Sequence, residues 1–183
     1  MTEPDIIDEY RTLAGREGVD RARTTLILPL LNAWYDALDG ARLPARTARA
    51  IAAFAALDGG LRDALAIAAA YPADRRNAIT TFITHAGDAR ARSAMAALAA
   101  GLHLNPFAIP YPTRVKRART LLARVGGPAA AAADAWLAWA AAMPDAADAA
   151  HAALDADPGS PLAAAVLADA ERGVGPAWAA DAA

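Results

Sequence analysis

Apolar residues recur at the three- and four-residue spacing of an α-helix through most of this chain. In the N-terminal half the strongest such stripe consists of Ile27, Leu30, Leu31, Trp34 and Leu38. Pro29 interrupts it, and a proline removes a backbone donor and clashes with the preceding turn. We therefore expect either a kink at Pro29 or a new helix that begins there.

Further stripes at the same spacing predict helices on both sides of this one. They are marked by Ile6, Tyr10 and Leu13; Ala48, Ile51, Phe54 and Ala55; Leu61, Leu65 and Ala68; Ile79, Phe82 and Ile83; and Met95, Leu98 and Leu102. Stops are expected near Gly15, at Asp58-Gly59-Gly60 and near Gly87. The β-branched and aromatic residues that strands favour are sparse. The sequence therefore predicts an all-α fold of about nine or ten short helices.

One segment, NPFAIPYP at residues 105–112, breaks this helical pattern completely. Its prolines favour an extended, polyproline-like path. We expect it to connect an N-terminal helical part, residues 1–104, to a C-terminal helical part, residues 113–183, within one globular domain. Thr113 is expected to cap the next helix. Phe107 and Tyr111 in this connector are candidates for an interaction surface.

The C-terminal third is dominated by alanine and contains a predicted helical hairpin. AWLAWAA (135–141) is followed by a Pro144-Asp145 turn, by AADAAHAALDADP (146–158) and by a DPGSP turn. Small residues at helical spacing let two helices approach closely, and the pair resembles one tetratricopeptide unit. Trp136 and Trp139 would fill the volume that alanine leaves empty. If they are exposed instead, they are candidates for the interaction surface.

This stretch resembles the helical C-terminal half of an alanine-rich actinobacterial family, the domain of unknown function 4192. The matching elements are AWLAWAA, AADAAHAALDADP, SPLAAAV (160–166) and GVGPAW (173–178), with LPARTARAIAAFAALDGGLRDALA (43–66) upstream. The α/β half that precedes these helices in the family is missing here. Met143-Pro144-Asp145 also stands where the family has a Gly-Asp-Gly type of turn. The resemblance implies packed helices and no particular activity.

Composition narrows the class of protein. Alanine supplies about a third of the residues, which favours helices packed at close range. The chain has no cysteine, which excludes disulfides and thiolate zinc sites. The first residues, MTEPDIIDEY, are acidic where a signal peptide is basic and then apolar. The longest weakly polar run, residues 128–143, is too short and too rich in alanine for a membrane span. We expect a soluble, cytoplasmic protein.

The net charge of −2 conceals a strong polarity along the chain. Residues 1–127 hold 17 Arg and Lys against 12 Asp and Glu, a balance of +5. Residues 128–183 hold only Arg172 against 8 acids, a balance of −7. Two differently charged solvated faces are the favoured interpretation of this polarity, and docking of one part on the other or head-to-tail association is the alternative.

No motif in the chain is typical of an enzyme. Ser93 and Ser160 lack the glycines of a nucleophile elbow. The three histidines, His85, His103 and His151, are scattered without the spacing of metal ligands. Walker and GxGxxG loops are absent. We expect a non-enzymatic protein with no cofactor and no bound metal, although acid–base pairs formed by tertiary contacts leave no mark in a sequence.

The predicted helix TRVKRARTLLARV, residues 113–125, carries 5 positive charges and no acid. Its apolar stripe leaves Arg114, Arg117 and Arg124 on a flank that could contact phosphates. The same flank could be solvated or could dock on the acidic C-terminal third. The pI near 5.9 and the lack of helix-turn-helix spacing argue against a dedicated nucleic-acid binder.

Arg62 and Asp63 stand together near the start of a short predicted helix. The aspartate suits the positive end of the helix dipole. A buried structural ion pair is the favoured interpretation of these two residues, and a ligand site is the alternative.

These observations favour a protein-interaction or scaffold module that can self-associate. The first alternative is a nucleic-acid-associated accessory protein that uses the basic helix 113–125. The second is an enzyme or a small-ligand carrier with a pocket between helices. The expected partner is another protein or a second copy of the chain, and a membrane is not expected.

Overall fold

The computed structural model describes residues 3–71 and 73–182, and all regular secondary structure in these residues is helical. In chain order the α-helices are α1 (Glu3–Glu17), α2 (Val19–Ala22), α3 (Leu28–Leu38), α4 (Ala45–Leu57), α5 (Gly59–Ala70), α6 (Arg76–Thr84), α7 (Ala89–Leu104), α8 (Pro112–Val125), α9 (Gly127–Ala140), α10 (Ala146–Ala156) and α11 (Pro161–Glu171). A π-helical segment, Arg23–Ile27, joins α2 to α3, and 3₁₀ turns lie at Ala73–Arg75 and Ala177–Ala182. The predicted all-α class is confirmed.

Pro29 is accommodated without a break in the helical path. The chain stays helical from α2 through the π-helical segment into α3, and Pro29 lies in the first turn of α3. A proline there cannot donate to the carbonyl four residues earlier, and its ring crowds the preceding turn. The wider turn of a π-helix relieves that crowding. The expected kink or new helix start thus takes the form of a π-helical segment directly before Pro29.

Helix boundaries follow local capping chemistry. The side-chain oxygen of Asp58 accepts from the backbone N–H of Gly60 at 2.8 Å, and that of Asp88 accepts from Arg90 at 2.6 Å. These bonds cap α5 and α7, so Asp58-Gly59-Gly60 begins one helix immediately after ending another. α1 continues past the stop expected near Gly15 and ends before Gly18, whose φ of 91° favours glycine.

Helices α5 and α9 lie at the centre of the core and are buried on nearly all sides. Residues 64–70 of α5 and residues 135–140 of α9 are all buried. Most of them are alanines, and small side chains at a contact shorten the distance between helix axes. α9 packs against α4, α5, α8, α10 and α11. The core is therefore shared by helices from both sides of the connector at residues 105–112.

The C-terminal hairpin is formed by α9 and α10, and α11 packs against both. Its turn closes with the N–H of Met143 donating to the carbonyl of Ala138 at 2.9 Å. The buried face of α10 consists of Ala146, Ala150 and Ala153, which recur at helical spacing. The small side chains predicted to let the two helices approach therefore lie at their contact.

Candidate functional site

Residues 104–111, here named the exposed segment, leave α7 and run to the start of α8. After α7 ends, the side chain of Asn105 accepts from the N–H of Phe107 at 2.9 Å and its carbonyl accepts from Ala108 at 3.0 Å. The prediction that residues 105–112 are not helical is confirmed for residues 105–111. Pro112 already belongs to α8, and Tyr111 rather than Thr113 is the N-cap residue. Proline suits the first helical position because that position needs no N–H donor.

The exposed segment concentrates apolar surface in contact with solvent. Its large side chains are exposed as follows: Phe107 88%, Leu104 78%, Ile109 59% and Tyr111 54%. Only three other large apolar residues in the described part of the chain are exposed. Clustered apolar exposure of this kind marks an interaction site more often than isolated exposed residues do. The structure thus leaves Phe107 and Tyr111 free to contact a partner.

The two candidate tryptophans, unlike Phe107 and Tyr111, are buried. Trp136 is 7% exposed and Trp139 is 3% exposed. Trp139 stacks on His103 with ring centroids 4.2 Å apart, and its Nε1 donates to the carbonyl of Val174 at 2.9 Å. The interpretation of these rings as core residues agrees with this burial. The idea that they add to an exposed surface is wrong, because alanine-rich neighbours leave room for them inside.

The candidate basic patch is mostly engaged within the chain. Arg114 pairs with Asp39 at 2.5 Å and donates to the carbonyl of Ala68 at 3.2 Å. Arg117 donates to two backbone carbonyls in and after the last turn of α3. Arg124 is exposed. The three arginines therefore do not form one free surface, because two of them hold α8 against α3.

A smaller basic surface remains where α8 faces the loop between α3 and α4. It is a depression of about 510 Å³, here named the basic hollow. Its charged lining residues are Arg42, Lys116, Arg117 and Arg124, and no acidic residue lines it. The hollow is an extended cationic surface on the same helix that the exposed segment leads into.

Arg119 docks the basic helix on the acidic C-terminal third. Its guanidinium binds Asp134 of α9 at 2.8 and 3.0 Å and Asp145 of the hairpin turn at 2.9 and 3.2 Å. The hydrogen bond from Arg119 holds the pKa of Asp145 below its usual range. Docking of one part on the other, which was an alternative interpretation of the charge polarity, is therefore present at this contact. It acts through a residue outside the candidate patch.

Arg62 and Asp63 form an ion pair at 2.7 Å, but the pair is not buried. The side chain of Arg62 is 20% exposed and that of Asp63 is 42% exposed. Both residues line an open groove of about 490 Å³ between helices. The remaining lining residues come from α5, α6, α7, α9 and α11: Ala66, Ile67, Phe82, Arg92, Met95, Ala96, Ala99, Trp136, Pro161, Leu162 and Ala165. The pair thus marks the rim of a groove.

The charged residues of this groove lie together at one end. The hydroxyl of Tyr71, directly after α5, donates to the carbonyl of Leu98 in the second half of α7 at 2.5 Å. The C-terminal end of α5 therefore lies against the second half of α7. Gly60, in the first turn of α5, lies against Phe82 near the end of α6. Arg92, in the first turn of α7, donates to the loop that directly follows α6. Arg62 and Arg92 therefore both lie near the C-terminal end of α6.

Two buried polar side chains, Arg23 and Tyr35, were not predicted from the sequence pattern. Arg23, in the π-helical segment, pairs with Asp58 at 2.5 Å and donates to the carbonyl of Ile83 at 2.6 Å. Tyr35 lies beneath the guanidinium of Arg76, 4.5 Å from its ring centroid, and its buried hydroxyl has no hydrogen-bond partner among the described residues. Burial raises the pKa of Tyr35 to about 12. Only tertiary contacts bring these groups together, so spacing along the chain could not reveal them.

No group of three or more His, Cys, Asp or Glu side chains in residues 3–71 and 73–182 could hold a metal ion. Within the same residues, no helix has the length and apolarity needed to cross a membrane. No protein-family model, no curated protein and no solved structure matches the chain. The resemblance to the alanine-rich actinobacterial family stays a prediction.

Proposed function

We propose that this protein is a non-enzymatic interaction module that self-associates through the exposed segment. The observation that carries the proposal is the solvent exposure of four large apolar side chains within eight consecutive residues: Leu104, Phe107, Ile109 and Tyr111. Burying one such side chain stabilises a complex by about 1.5–3 kcal/mol. Association itself costs roughly 4–15 kcal/mol. Four buried side chains therefore support a weak, concentration-dependent complex.

Charge complementarity within the chain favours a second copy as the partner. The basic hollow lies on α8, the helix that begins where the exposed segment ends. Exposed carboxylates dominate α10 and the residues around it, namely Asp148, Asp155 and Asp157. A basic surface on one copy can therefore face an acidic surface on the next, in a head-to-tail arrangement. Ionic strength should weaken this contribution, because exposed charges are screened by salt.

Sedimentation velocity over a range of protein concentrations tests the proposal. We expect the weight-average sedimentation coefficient to rise with concentration, and to rise less at high salt. Replacing both Phe107 and Ile109 with serine should leave a monomer with unchanged helical circular dichroism, because both side chains are exposed. Leu57→Ser is the matched control, since Leu57 is an exposed apolar residue on α4.

Two results would contradict the proposal. One is a wild-type chain that remains a monomer at every concentration. The other is equal loss of association in the Leu57→Ser control, which would mean that the exposed segment is not the contact.

Nucleic-acid binding is less well supported. Most guanidinium nitrogens of Arg114 and Arg117 already donate hydrogen bonds to α3, α5 and the loop that follows α3. Phosphate binding would have to use the side chains of the basic hollow alone. A protein with an acidic pI of about 5.9 would also repel a polyanion at long range.

A further inference from the structure

We infer that the groove lined by α5, α6, α7, α9 and α11 is a binding site for a small amphipathic anion, a molecule with an apolar body and one carboxylate. This inference is independent of self-association, because none of the residues of the exposed segment lines the groove.

The size and lining of the groove fit the apolar body of such a ligand. Its volume of about 490 Å³ falls within the range of small-molecule sites, roughly 300–1,000 Å³. Ile67, Phe82, Met95, Trp136 and Leu162 supply its large apolar surface. Alanines at four other wall positions leave the space between these side chains open. A flat or aliphatic molecule could therefore lie against this apolar surface.

The charged end of the groove fits a carboxylate. Arg92 is held in place because its Nη1 donates to the carbonyls of Ala86 and Gly87 at 3.0 and 2.8 Å. Its Nε and Nη2 make no hydrogen bond to other described residues. Arg62 uses Nε and Nη2 on Asp63, and its Nη1 likewise has no partner in the described part of the chain. Guanidinium donors bind carboxylates with charge-assisted hydrogen bonds.

The balance of charge limits the ligand to one negative charge. Arg62 and Arg92 carry two positive charges, and Asp63 beside them carries one negative charge. A single carboxylate neutralises the remaining positive charge, whereas a second would lie close to the carboxylate of Asp63. Like charges at such a distance repel each other. A fatty acid or an aromatic monocarboxylic acid has the required chemistry.

Isothermal titration calorimetry of the full chain with sodium decanoate and with decan-1-ol, below the concentration at which either aggregates, tests the inference. The two probes share an alkyl chain and differ in charge. We expect decanoate to bind roughly tenfold more tightly, because a hydrogen bond to a charged group is worth about 1.4 kcal/mol or more. Arg92→Gln should remove most of that preference. Arg90→Gln, on the same helix but outside the groove, should not.

A second pair of variants tests the location. Ala96→Leu fills the groove from α7 and should weaken decanoate binding roughly tenfold or more. Ala97→Leu is its control, because Ala97 is exposed and does not line the groove. If Ala96→Leu does not fold, Ala165→Leu fills the groove from α11 instead. The Phe107→Ser and Ile109→Ser double variant should bind decanoate as the wild type does.

Three outcomes would overturn the inference. They are no heat of binding with decanoate, equal affinity for decanoate and decan-1-ol, and undiminished binding when the groove is filled. The last outcome would place the apolar probe elsewhere on the chain.

Discussion

Tyr35→Phe should make this protein more stable at neutral pH and less sensitive to alkali. Tyr35 is 2% exposed, and its hydroxyl has no hydrogen-bond partner in the described part of the chain. A buried polar group without a partner costs about 1–3 kcal/mol. Removing the hydroxyl should therefore raise the free energy of unfolding by about 1 kcal/mol. For a chain of this length that corresponds to a rise in Tm of roughly 2–4 °C.

The alkaline effect follows from the raised pKa. Burial raises the pKa of Tyr35 to about 12, against the opposing influence of Arg76 and Arg114. In the unfolded chain the pKa of a tyrosine is about 10. Above that pH the unfolded state loses the proton first, so stability is intact below about pH 10 and falls as pH rises toward 12. The loss from Tyr35 alone is about 1.4 kcal/mol at pH 11 and approaches about 2.7 kcal/mol at higher pH.

Urea denaturation followed by circular dichroism, at neutral pH and at several points above pH 10, measures both effects. Tyr71→Phe is the matched control at neutral pH, because Tyr71 donates a 2.5 Å hydrogen bond to Leu98. That variant should lose about 1 kcal/mol at neutral pH. Two results would contradict the role given to the buried hydroxyl: a Tyr35→Phe variant less stable than the wild type at neutral pH, or one whose stability falls above pH 10 as steeply as that of the wild type.

Two further substitutions test the packing of the C-terminal third. Arg119→Ala leaves the carboxylates of Asp134 and Asp145 without their shared cation. Because these side chains are partly exposed, the free energy of unfolding should fall by about 1–3 kcal/mol. Urea denaturation at neutral pH measures this loss. Because Arg119 holds the pKa of Asp145 down, that stabilisation should fade as pH falls through the acid range, and wild type and variant should converge there. Trp136→Ala empties a buried site beside the groove, and a loss of about 3–5 kcal/mol is expected in the same assay. A Trp136→Ala protein with wild-type stability would contradict its place in the core.

Local patterns predicted the helices well because both the helical spacing of apolar residues and the effect of helix-breaking residues depend only on positions a few residues apart. The apolar stripes located most helices, and the prolines of residues 105–112 marked the break between α7 and α8. The sequence predicted an irregularity at Pro29, either a kink or a new helix start, but not the π-helical segment before it. Whether a helix kinks or widens at a proline depends on what packs around it, and here the buried Arg23 pairs across to Asp58.

The candidate sites were predicted less well because they depend on distant contacts. Phe107 and Tyr111 are exposed as an interaction surface requires. Arg114 is instead paired with Asp39, 75 residues earlier in the chain. Arg62 and Asp63 are adjacent in sequence, so their pairing was foreseeable. The groove beside them is built by five helices, and no spacing in the sequence reports it.

The central position of α9 has a consequence for how the chain folds during synthesis. The alanine-rich faces of α4 and α5 are covered by α9, which begins at Gly127, more than fifty residues after α5 ends at Ala70. A nascent chain that has emerged only as far as α8 lacks the helix that closes its core. Its apolar helix faces stay exposed to solvent until the C-terminal third has left the ribosome. Partly folded chains of this kind are prone to aggregate. Truncation before residue 140 should therefore yield a chaperone-dependent fragment rather than a smaller folded domain.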